Sequence, residues 1–187
     1  MTCIVGLEHK GAVYIGGDSA AVAEYEIRKT ALRKVFKKDG LIIGYTSSFR
    51  MGQLLQYEMK LDKIPKKVNM EYMNCRFIPA VRKCLRDGGY LKVDDNVEEG
   101  GQFLVGLRGQ LYEIDSDFQV NKFRDGMATI GCGSQYALGS LQTSKYCYKM
   151  LNVKDGTIER IKTALKVASQ FSSAVCPPFV IENTLKV

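Results

Sequence analysis

The residue near the start of the chain that could do chemistry is Thr2. Its side chain is small enough to permit removal of the preceding Met1, and removal would leave a threonine with a free α-amine. Such an amine titrates near a pH of about 8, so it can accept the proton of the threonine hydroxyl, directly or through water. One residue would then supply both a nucleophile and its general base.

An amine and a hydroxyl that work together need a positive neighbour, which holds the amine neutral and favours the alkoxide, and this neighbour needs an anion. Asp18, in YIGGDSAA, lies sixteen residues after Thr2, and Lys34, in RKVF, lies thirty-two residues after it. We predict that Asp18 and Lys34 form this ion pair. Taken alone, Thr2 reads as an ordinary N-terminal residue and Asp18 as a turn residue, so the prediction depends on the three together.

Composition limits the other kinds of catalytic site. The chain has 187 residues, six cysteines and a single histidine, His9, which we expect in a surface turn. A histidine-rich zinc site is excluded, and a catalyst of the Ser-His-Asp or Cys-His type would have to use His9. No CxxC pair, Cys/His cluster or GxxxxGKS phosphate-binding loop occurs. We therefore expect no metal and no cofactor, and thiols that are free and mostly buried.

Hydropathy and charge bear on location and partners. No apolar run reaches the roughly 18 residues of a membrane span and no signal peptide is recognisable, so we expect a cytoplasmic protein with residues 1–187 as one domain. The net charge of +7 comes largely from lysines and arginines between residues 28 and 67. Aromatic side chains are not interleaved with these charges as base stacking requires, which favours a solvated or subunit-facing surface over a nucleic-acid interface.

The first half of the chain predicts a strand block followed by two helices. Hydrophobic alternation predicts short N-terminal strands with a turn at Lys10-Gly11, then an irregular polar section before RKVF. Helical spacing predicts helices over residues 48–60 and 69–87, and Gly88-Gly89 ends the second of them. We expect the acidic segment 88–100 to be a flexible loop.

The second half predicts the same order of elements. A second strand block turns at Arg108-Gly109, helices follow over residues 134–151 and 157–171, and FVIENTLKV predicts a last strand. Strand blocks that alternate with helix pairs allow two sheets to pack face to face with helices outside them. The predicted fold is α+β, a four-layer αββα sandwich in which helices flank two antiparallel sheets.

Four segments of the chain match a known family pattern, namely TCIVGLEHKGAVYIGGDSAA, RKVF, LIIGYTSS and IGCGSQYALGS. Together they resemble the N-terminal nucleophile (Ntn) hydrolases of the proteasome β-subunit and HslV peptidase family. The resemblance extends over essentially the whole chain, with the best agreement over residues 2–55 and 128–141. It implies that Thr2 is the nucleophile and base, that Lys34 tunes the amine, and that Asp18 holds Lys34.

The resemblance also implies supporting roles for five further residues. Ser47 or Ser48, in GYTSS, occupies the place of a glycine whose backbone N–H donates to the oxyanion in the family. Cys132 stands where the family has a supporting serine, although its position between two glycines also predicts a small packed residue. Gln170 and Ser173 occupy the places of an aspartate and a serine that bind the terminal amine, so the carboxylate is replaced by an amide.

These observations predict a threonine peptidase that hydrolyses peptide bonds through Thr2. The resemblance further implies a homo-oligomeric ring or related assembly, with an ATP-dependent unfoldase as a candidate partner and residues 48–60 as a subunit contact. Three alternatives stay open: a non-catalytic assembly or binding protein of the same fold, a small-molecule amidase, and a nucleic-acid-binding protein. The departures at Cys132 and Gln170 favour the first of these alternatives.

Overall fold

Blocks of strands alternate with blocks of helices in the computed structural model, which describes residues 2–23, 26–153 and 156–185. The strands, in chain order, are β1 (Cys3–His9), β2 (Ala12–Gly17), β3 (Ala20–Ala23), β4 (Glu26–Lys29), β5 (Val35–Lys38), β6 (Leu41–Tyr45), β7 (Lys92–Asp94), β8 (Val97–Glu99), β9 (Phe103–Leu107), β10 (Gln110–Ile114), β11 (Val120–Asn121), β12 (Met127–Gly131) and β13 (Val180–Asn183). The α-helices are α1 (Phe49–Gln53), α2 (Met70–Tyr72), α3 (Ile78–Asp87), α4 (Ser134–Met150) and α5 (Thr157–Phe171).

Two antiparallel sheets contain most of these strands. The first sheet has the order β12-β1-β2-β13, and the second has the order β11-β10-β9-β6-β5. Two further sheets of the described residues are two-stranded ribbons, β3 with β4 and β7 with β8. The prediction of two sheets is therefore wrong in number, although the mixed fold of strands and helices and the order of the blocks agree with the structure.

The ribbon of β7 and β8 occupies the segment that we expected to be a flexible loop. Asp95 and Asn96 connect its strands with φ angles of 44° and 65°, the left-handed conformation of a two-residue hairpin turn. Glu98 then forms ion pairs with Arg82 and Arg86 of α3. The acidic residues of this segment thus belong to an ordered hairpin that is joined to a helix.

Side chains of the two larger sheets form three hydrophobic clusters. Because side chains alternate along a strand, β1 contributes Ile4 to one cluster and Cys3, Val5 and Leu7 to another. The first cluster contains side chains of both larger sheets, the second joins the first sheet to α4 and α5, and the third joins the second sheet to the helices of residues 49–87. Members of the first are Ile4, Val13, Ile15, Val35, Ile42, Leu104, Leu111, Ala128 and Ile130.

The helices begin and end close to their predicted limits. Ser48 caps α1 and Asn69 caps α2, each by accepting a hydrogen bond from a backbone N–H of the first turn. α1 continues as a π-helical segment, Leu54–Glu58, and a second π-helical segment, Met73–Phe77, joins α2 to α3. Within the described residues, no helix is long and apolar enough to cross a membrane.

The two predicted hairpin turns lie against each other at one end of the sheets. Lys10-Gly11 and Arg108-Gly109 all have positive φ angles, between 48° and 77°, as two-residue turns of this kind require. A Cβ atom at Gly109 would lie 2.4 Å from the carbonyl oxygen of Gly11, so only glycine permits this contact.

The cysteines differ from expectation in their burial. All six are free thiols, but only Cys3 and Cys84 are buried, whereas Cys75, Cys132 and Cys147 are exposed. The prediction that most thiols are buried is therefore wrong, because α4 and the segments around residues 75 and 132 present these residues on their outer faces.

Glu113 on β10 should make the free energy of unfolding depend on pH. Burial, together with the nearby Asp115 carboxylate, raises the pKa of Glu113 from 4.5 to about 7. Between these two pH values the folded chain keeps a proton that the unfolded chain has lost, so the free energy of unfolding falls as the pH rises. We expect Glu113→Gln to melt at a higher temperature than the wild type near pH ~8, with a smaller difference at pH 4.5.

Thermal melts of both proteins across this pH range measure the effect. The exposed Glu99 of β8 offers a matched control, since Glu99→Gln removes the same carboxylate from a position in contact with water. A difference between Glu113→Gln and wild type that stays constant with pH would contradict the prediction.

Candidate active site

Asp18 and Lys34 form a buried ion pair. Asp18 directly follows β2, and Lys34 directly precedes β5. The Lys34 Nζ atom lies 3.1 Å from each carboxylate oxygen of Asp18, and the side chains are 2% and 0% exposed. An ammonium and a carboxylate so far removed from water are compatible with folding only as a hydrogen-bonded pair. The predicted pair is present, and its part in catalysis stays a prediction.

The Asp18 carboxylate also connects this pair to the start of β1. Its Oδ1 atom accepts a hydrogen bond from the Cys3 amide at 3.0 Å, and its Oδ2 atom accepts one from the Ala20 amide at 2.8 Å. The Asp18 amide in turn donates to the Cys3 carbonyl at 3.3 Å. The Asp18 carboxylate therefore holds the N–H group of the peptide bond between Thr2 and Cys3. Thr2 itself is buried, with 4% of its surface exposed.

Lys34 is fixed along its length. Its carbonyl accepts a hydrogen bond from the Tyr45 amide of β6 at 3.0 Å, and its Nζ atom lies 5.9 Å from the centre of the Phe49 ring. An ammonium over an aromatic face gains a favourable electrostatic interaction that increases when both groups are desolvated. A strand of the second sheet thus holds the Lys34 backbone, while Asp18 and the first residue of α1 hold its ammonium group.

Gly131 and Cys132 contact the carbonyl oxygen of the same peptide bond. Gly131 pairs with Cys3 in the first sheet and has a φ of 91°, and a Cβ atom there would lie 2.2 Å from the Thr2 carbonyl oxygen. The Cys132 thiol donates to that oxygen at 3.3 Å, and its Sγ atom lies 3.4 Å from Ser172 Oγ. Cys132 is exposed, so the prediction of a small packed residue is wrong.

The turn after β6 contains both candidate oxyanion donors. The Ser48 amide donates to the Thr46 carbonyl at 2.8 Å, and the Thr46 amide donates to the Gln102 carbonyl at 3.1 Å. Ser47 has a φ of 69°, and its hydroxyl accepts a hydrogen bond from the Gln102 amide at 3.2 Å. None of these bonds uses the Ser47 amide, which makes Ser47 the better candidate for a backbone donor to an oxyanion.

The left-handed backbone of Ser47 predicts a difference between two substitutions. Ser47→Gly and Ser47→Ala both remove the hydroxyl that binds the Gln102 amide, and they differ in one exposed methyl group and in their tolerance of a positive φ. We expect the glycine variant to be more stable than the alanine variant by about 1 kcal/mol. Urea denaturation measures this difference. Equal stability of the two variants would mean that the turn does not keep its left-handed backbone.

Gln170 and Ser173 lie at and beyond the end of α5. Gln170 is exposed in the last turn of the helix, and Ser173 is exposed two residues after the helix ends. The serine that the structure brings to Cys132 is the neighbouring Ser172, which the sequence analysis did not single out. The Ser172-Ser173 dipeptide was the only signal in the sequence, and it did not indicate which hydroxyl points toward β12.

Cys3 is excluded as a nucleophile by its surroundings. Burial, together with the nearby Asp18 carboxylate, raises the pKa of the Cys3 thiol to about 12. A thiol with so high a pKa remains protonated at neutral pH and is a poor nucleophile. Among the described residues, no group of three or more His, Cys, Asp and Glu side chains could hold a metal ion.

Solved structures with the same fold belong to proteasome-like proteins. BPH from Thiobacillus denitrificans, in complex with epoxomicin, superposes with a TM-score of 0.77 at 17% sequence identity and covers 97% of both chains. Eukaryotic HslV from Trypanosoma brucei superposes with a TM-score of 0.66 at 18% identity, over 97% of this chain and 98% of that one. The Anbu (Gly-1) mutant from Hyphomicrobium sp. strain MC1 gives 0.66 at 13% identity, over 98% and 83%.

These similarities show that the chain has the fold of the proteasome-like Ntn hydrolases, as the sequence resemblance implied. No protein-family model and no curated protein sequence matches the chain. At 13–18% identity the shared property is the fold. The chemistry of the site depends on its own side chains.

Proposed function

We propose that the chain is a threonine-type peptidase in which Thr2, after removal of Met1, is the nucleophile and its own general base. The observation that carries the proposal is the buried Lys34–Asp18 pair, whose carboxylate also binds the Cys3 amide at 3.0 Å. A buried positive charge beside a nucleophile favours its alkoxide and keeps a neighbouring amine neutral. The fold shared with HslV and BPH supports the same proposal.

The proposed reaction proceeds in two halves. The Thr2 hydroxyl gives its proton to the α-amine and attacks a peptide carbonyl, whose oxygen becomes an oxyanion bound by the Ser47 amide. The leaving amine takes the proton, the carbon–nitrogen bond breaks, and an ester on Thr2 remains. A water molecule that gives its proton to the α-amine then hydrolyses the ester and restores Thr2. No step requires a metal or a cofactor.

We propose that the three hydrophobic clusters separate the layers of a four-layer αββα sandwich. The cluster between the two larger sheets lies in the middle, and the clusters on α4 and α5 and on the helices of residues 49–87 lie outside it. This arrangement is the one that buries one face of each helix and both faces of each sheet.

We propose that copies of the chain assemble into a ring or a related oligomer that restricts access to peptides and unfolded proteins. Large apolar side chains at the end of α4 support this proposal, because Tyr146, Met150 and Leu151 are 65%, 84% and 74% exposed. An ATP-dependent unfoldase remains a candidate partner. Sedimentation of the purified protein tests the assembly, and a monomer would favour a small-molecule amidase instead.

The chemical proposal is tested by mass spectrometry of the protein made in cells and then treated with an epoxyketone. Intact mass reports whether Met1 has been removed. An epoxyketone reacts with a hydroxyl and an α-amine on one residue, so its adduct should map to residue 2 of the processed chain alone. Quantitative retention of Met1, or an adduct at another residue, would overturn the proposal and favour a non-catalytic assembly protein.

A further inference from the structure

We infer that the tip of the β7–β8 hairpin of one copy of the chain binds in a basic groove of the next copy, between residues 57–65 and 72–87. The inference rests on the proposed assembly of copies and deepens it, since it names the two surfaces that meet. It does not depend on the chemistry proposed for Thr2.

The groove lies between the chain that follows α1 and the helical segments that lead into α3. Its volume of about 1210 Å³ exceeds the roughly 300–1,000 Å³ of pockets that hold small molecules, so a piece of folded polypeptide fits it better. Leu61 and Pro79 are among its apolar lining residues, and Tyr57, which also lines it, is 71% exposed. Exposed apolar side chains around an open groove are typical of an interaction site.

The groove carries an excess of positive charge. Within the described residues, three of its four cations have no acidic partner, namely Lys60, Lys63 and Arg76. The fourth cation, Lys83, lies 2.7 Å from Asp87. Of the two other acids in the lining, Glu58 pairs with Arg50, and Asp62 has no cationic partner in the described chain. An acidic group that enters the groove therefore meets unpaired positive charge.

The tip of the hairpin has the complementary surface. Asp94 and Asp95 are exposed, and neither has a cationic partner among the residues that the structure describes. Val97 lies opposite Asp94 in the ladder and is 55% exposed. Protein interfaces combine an apolar centre with a polar rim, and opposite charges select which surfaces meet. An apolar side chain beside two carboxylates thus matches an apolar groove with unpaired cations.

The hairpin is held in position before it binds. A two-stranded ribbon by itself is marginally stable in water, but Glu98 joins this one to Arg82 and Arg86 of α3. Asp95 and Asn96 already have the backbone of a tight turn. Because the tip is ordered in the free chain, association loses less conformational entropy than the docking of a flexible loop.

The hairpin of the same copy cannot fill the groove. α3 presents Arg82 and Arg86 to the hairpin, whereas Pro79 and Lys83 line the groove. Successive helical residues point about 100° apart, so the two surfaces lie on different sides of α3, and Glu98 keeps the hairpin on its own side. A hairpin in this groove therefore comes from another copy. Such a contact joins two different surfaces, and its repetition gives a ring when the rotation closes.

Reversing the charge of either surface should weaken assembly. Asp94→Lys/Asp95→Asn changes the hairpin, and its asparagine tolerates the left-handed turn. Lys60→Glu/Lys63→Glu changes the groove. Each variant should need at least about tenfold more protein than the wild type to assemble in low salt, as sedimentation velocity measures. Either variant assembling at the wild-type concentration would overturn the inference and favour another occupant of the groove, such as the terminal segment of an unfoldase.

A mixture of the two variants separates a lost contact from misfolding. The new lysine of one hairpin meets the new glutamates of the other groove, and the unchanged hairpin and groove make the second contact. An equimolar mixture should therefore recover the wild-type particle with alternating copies. Lys29→Glu/Lys166→Glu, at two exposed lysines outside the groove, matches the charge change of the groove variant and should assemble as the wild type does. A mixture that stays dissociated overturns the inference.

A native thiol reports the occupant directly. Cys75 is exposed and lines the groove. In Asp95→Cys, a bismaleimide should join residue 95 of one copy to residue 75 of another, and Cys75→Ser in the same background should abolish this cross-link. Cross-links of residue 95 to other cysteines alone would overturn the inference.

The outcomes also distinguish this inference from the proposed function. A wild-type chain that stays monomeric at every concentration removes the assembly and the inference together, whether or not an epoxyketone labels Thr2. A wild-type chain that assembles, with hairpin and groove variants that assemble equally well, retains the assembly and removes this contact. Recovery by the mixture of a protein that no epoxyketone labels retains the contact and removes the peptidase.

Discussion

Alanine in place of Thr2 is expected to lower the rate of peptide hydrolysis by at least about a thousandfold, because it removes the hydroxyl that would form the ester. Serine at this position keeps both the hydroxyl and the α-amine, so Thr2→Ser should retain measurable activity. The measurement is kcat/KM for a fluorogenic peptide, made on proteins whose intact masses establish that Met1 is absent.

The exposed Thr143 on α4 provides a matched control for this substitution. Thr143→Ala removes the same hydroxyl from a residue outside the site and should hydrolyse the peptide at the wild-type rate. If Thr2→Ala keeps more than about a tenth of the wild-type activity, another residue performs the reaction. The threonine-peptidase proposal would then be abandoned.

Methionine in place of Lys34 is expected to destabilise the protein strongly. The substitution leaves the Asp18 carboxylate buried and without its counter-charge, at a cost of about 3–5 kcal/mol in the free energy of unfolding. For a chain of this length, such a cost corresponds to a decrease of roughly 10 °C in melting temperature. Hydrolysis should be lost as well, because the proposed reaction needs the Lys34 charge. Urea denaturation and thermal melts measure the first effect, and the peptide assay measures the second.

An exposed ion pair on α5 provides a control for the Lys34 substitution, because it measures the stability lost when a surface lysine is removed. Lys162 lies 2.9 Å from Glu159, with both side chains more than half exposed, so Lys162→Met should cost at most about 1 kcal/mol. The double variant Lys34→Met/Asp18→Asn should lose less stability than the sum of its two single variants, because neither charge is left alone. Strict additivity would mean that Lys34 and Asp18 do not interact.

The charged pair could be predicted from the sequence because charge type and strand ends are local properties. Asp18 follows an alternating strand that ends in Gly16-Gly17, and Lys34 precedes the next apolar strand. A strand end is where a polar side chain can enter the space between two sheets, so a carboxylate and an ammonium at such places pair readily. The agreement with a family pattern made their spacing informative.

The serine that lies next to Cys132 could not be predicted in the same way, and the role predicted for Ser173 stays a prediction. Spacing within the family pattern favoured Ser173, but α5 ends at Phe171 and the chain becomes extended at Ser172, with φ of −120° and ψ of 115°. Ser173 lies in the turn that follows, so the hydroxyl that faces Cys132 is that of Ser172, and a shift of one residue in the helix end would exchange it. A helix end is uncertain by a residue or more in any pattern argument.

Cys132 and the acidic hairpin illustrate the same limit. Two flanking glycines predicted a packed residue, but the left-handed φ of Gly131 turns the chain at the end of β12 and leaves Cys132 exposed. The segment around Asp95 and Asn96 carries the composition of a solvated loop, yet these two residue types tolerate the left-handed conformation of a tight turn. The composition of such a segment indicates that it is exposed to solvent, but it does not predict the conformation of the backbone.

By itself, the sequence determined the order of strands and helices and the alternation of buried residues, because these depend on residues close together in the chain, and its agreement with a family pattern singled out Asp18 and Lys34 as a pair. Only the tertiary structure decided that Asp18 holds the Cys3 amide and that Cys132 holds the Thr2 carbonyl. Those bonds join residues 15 and 130 positions apart. They depend on strand register and on the directions of strand ends, which are properties of the packed sheets.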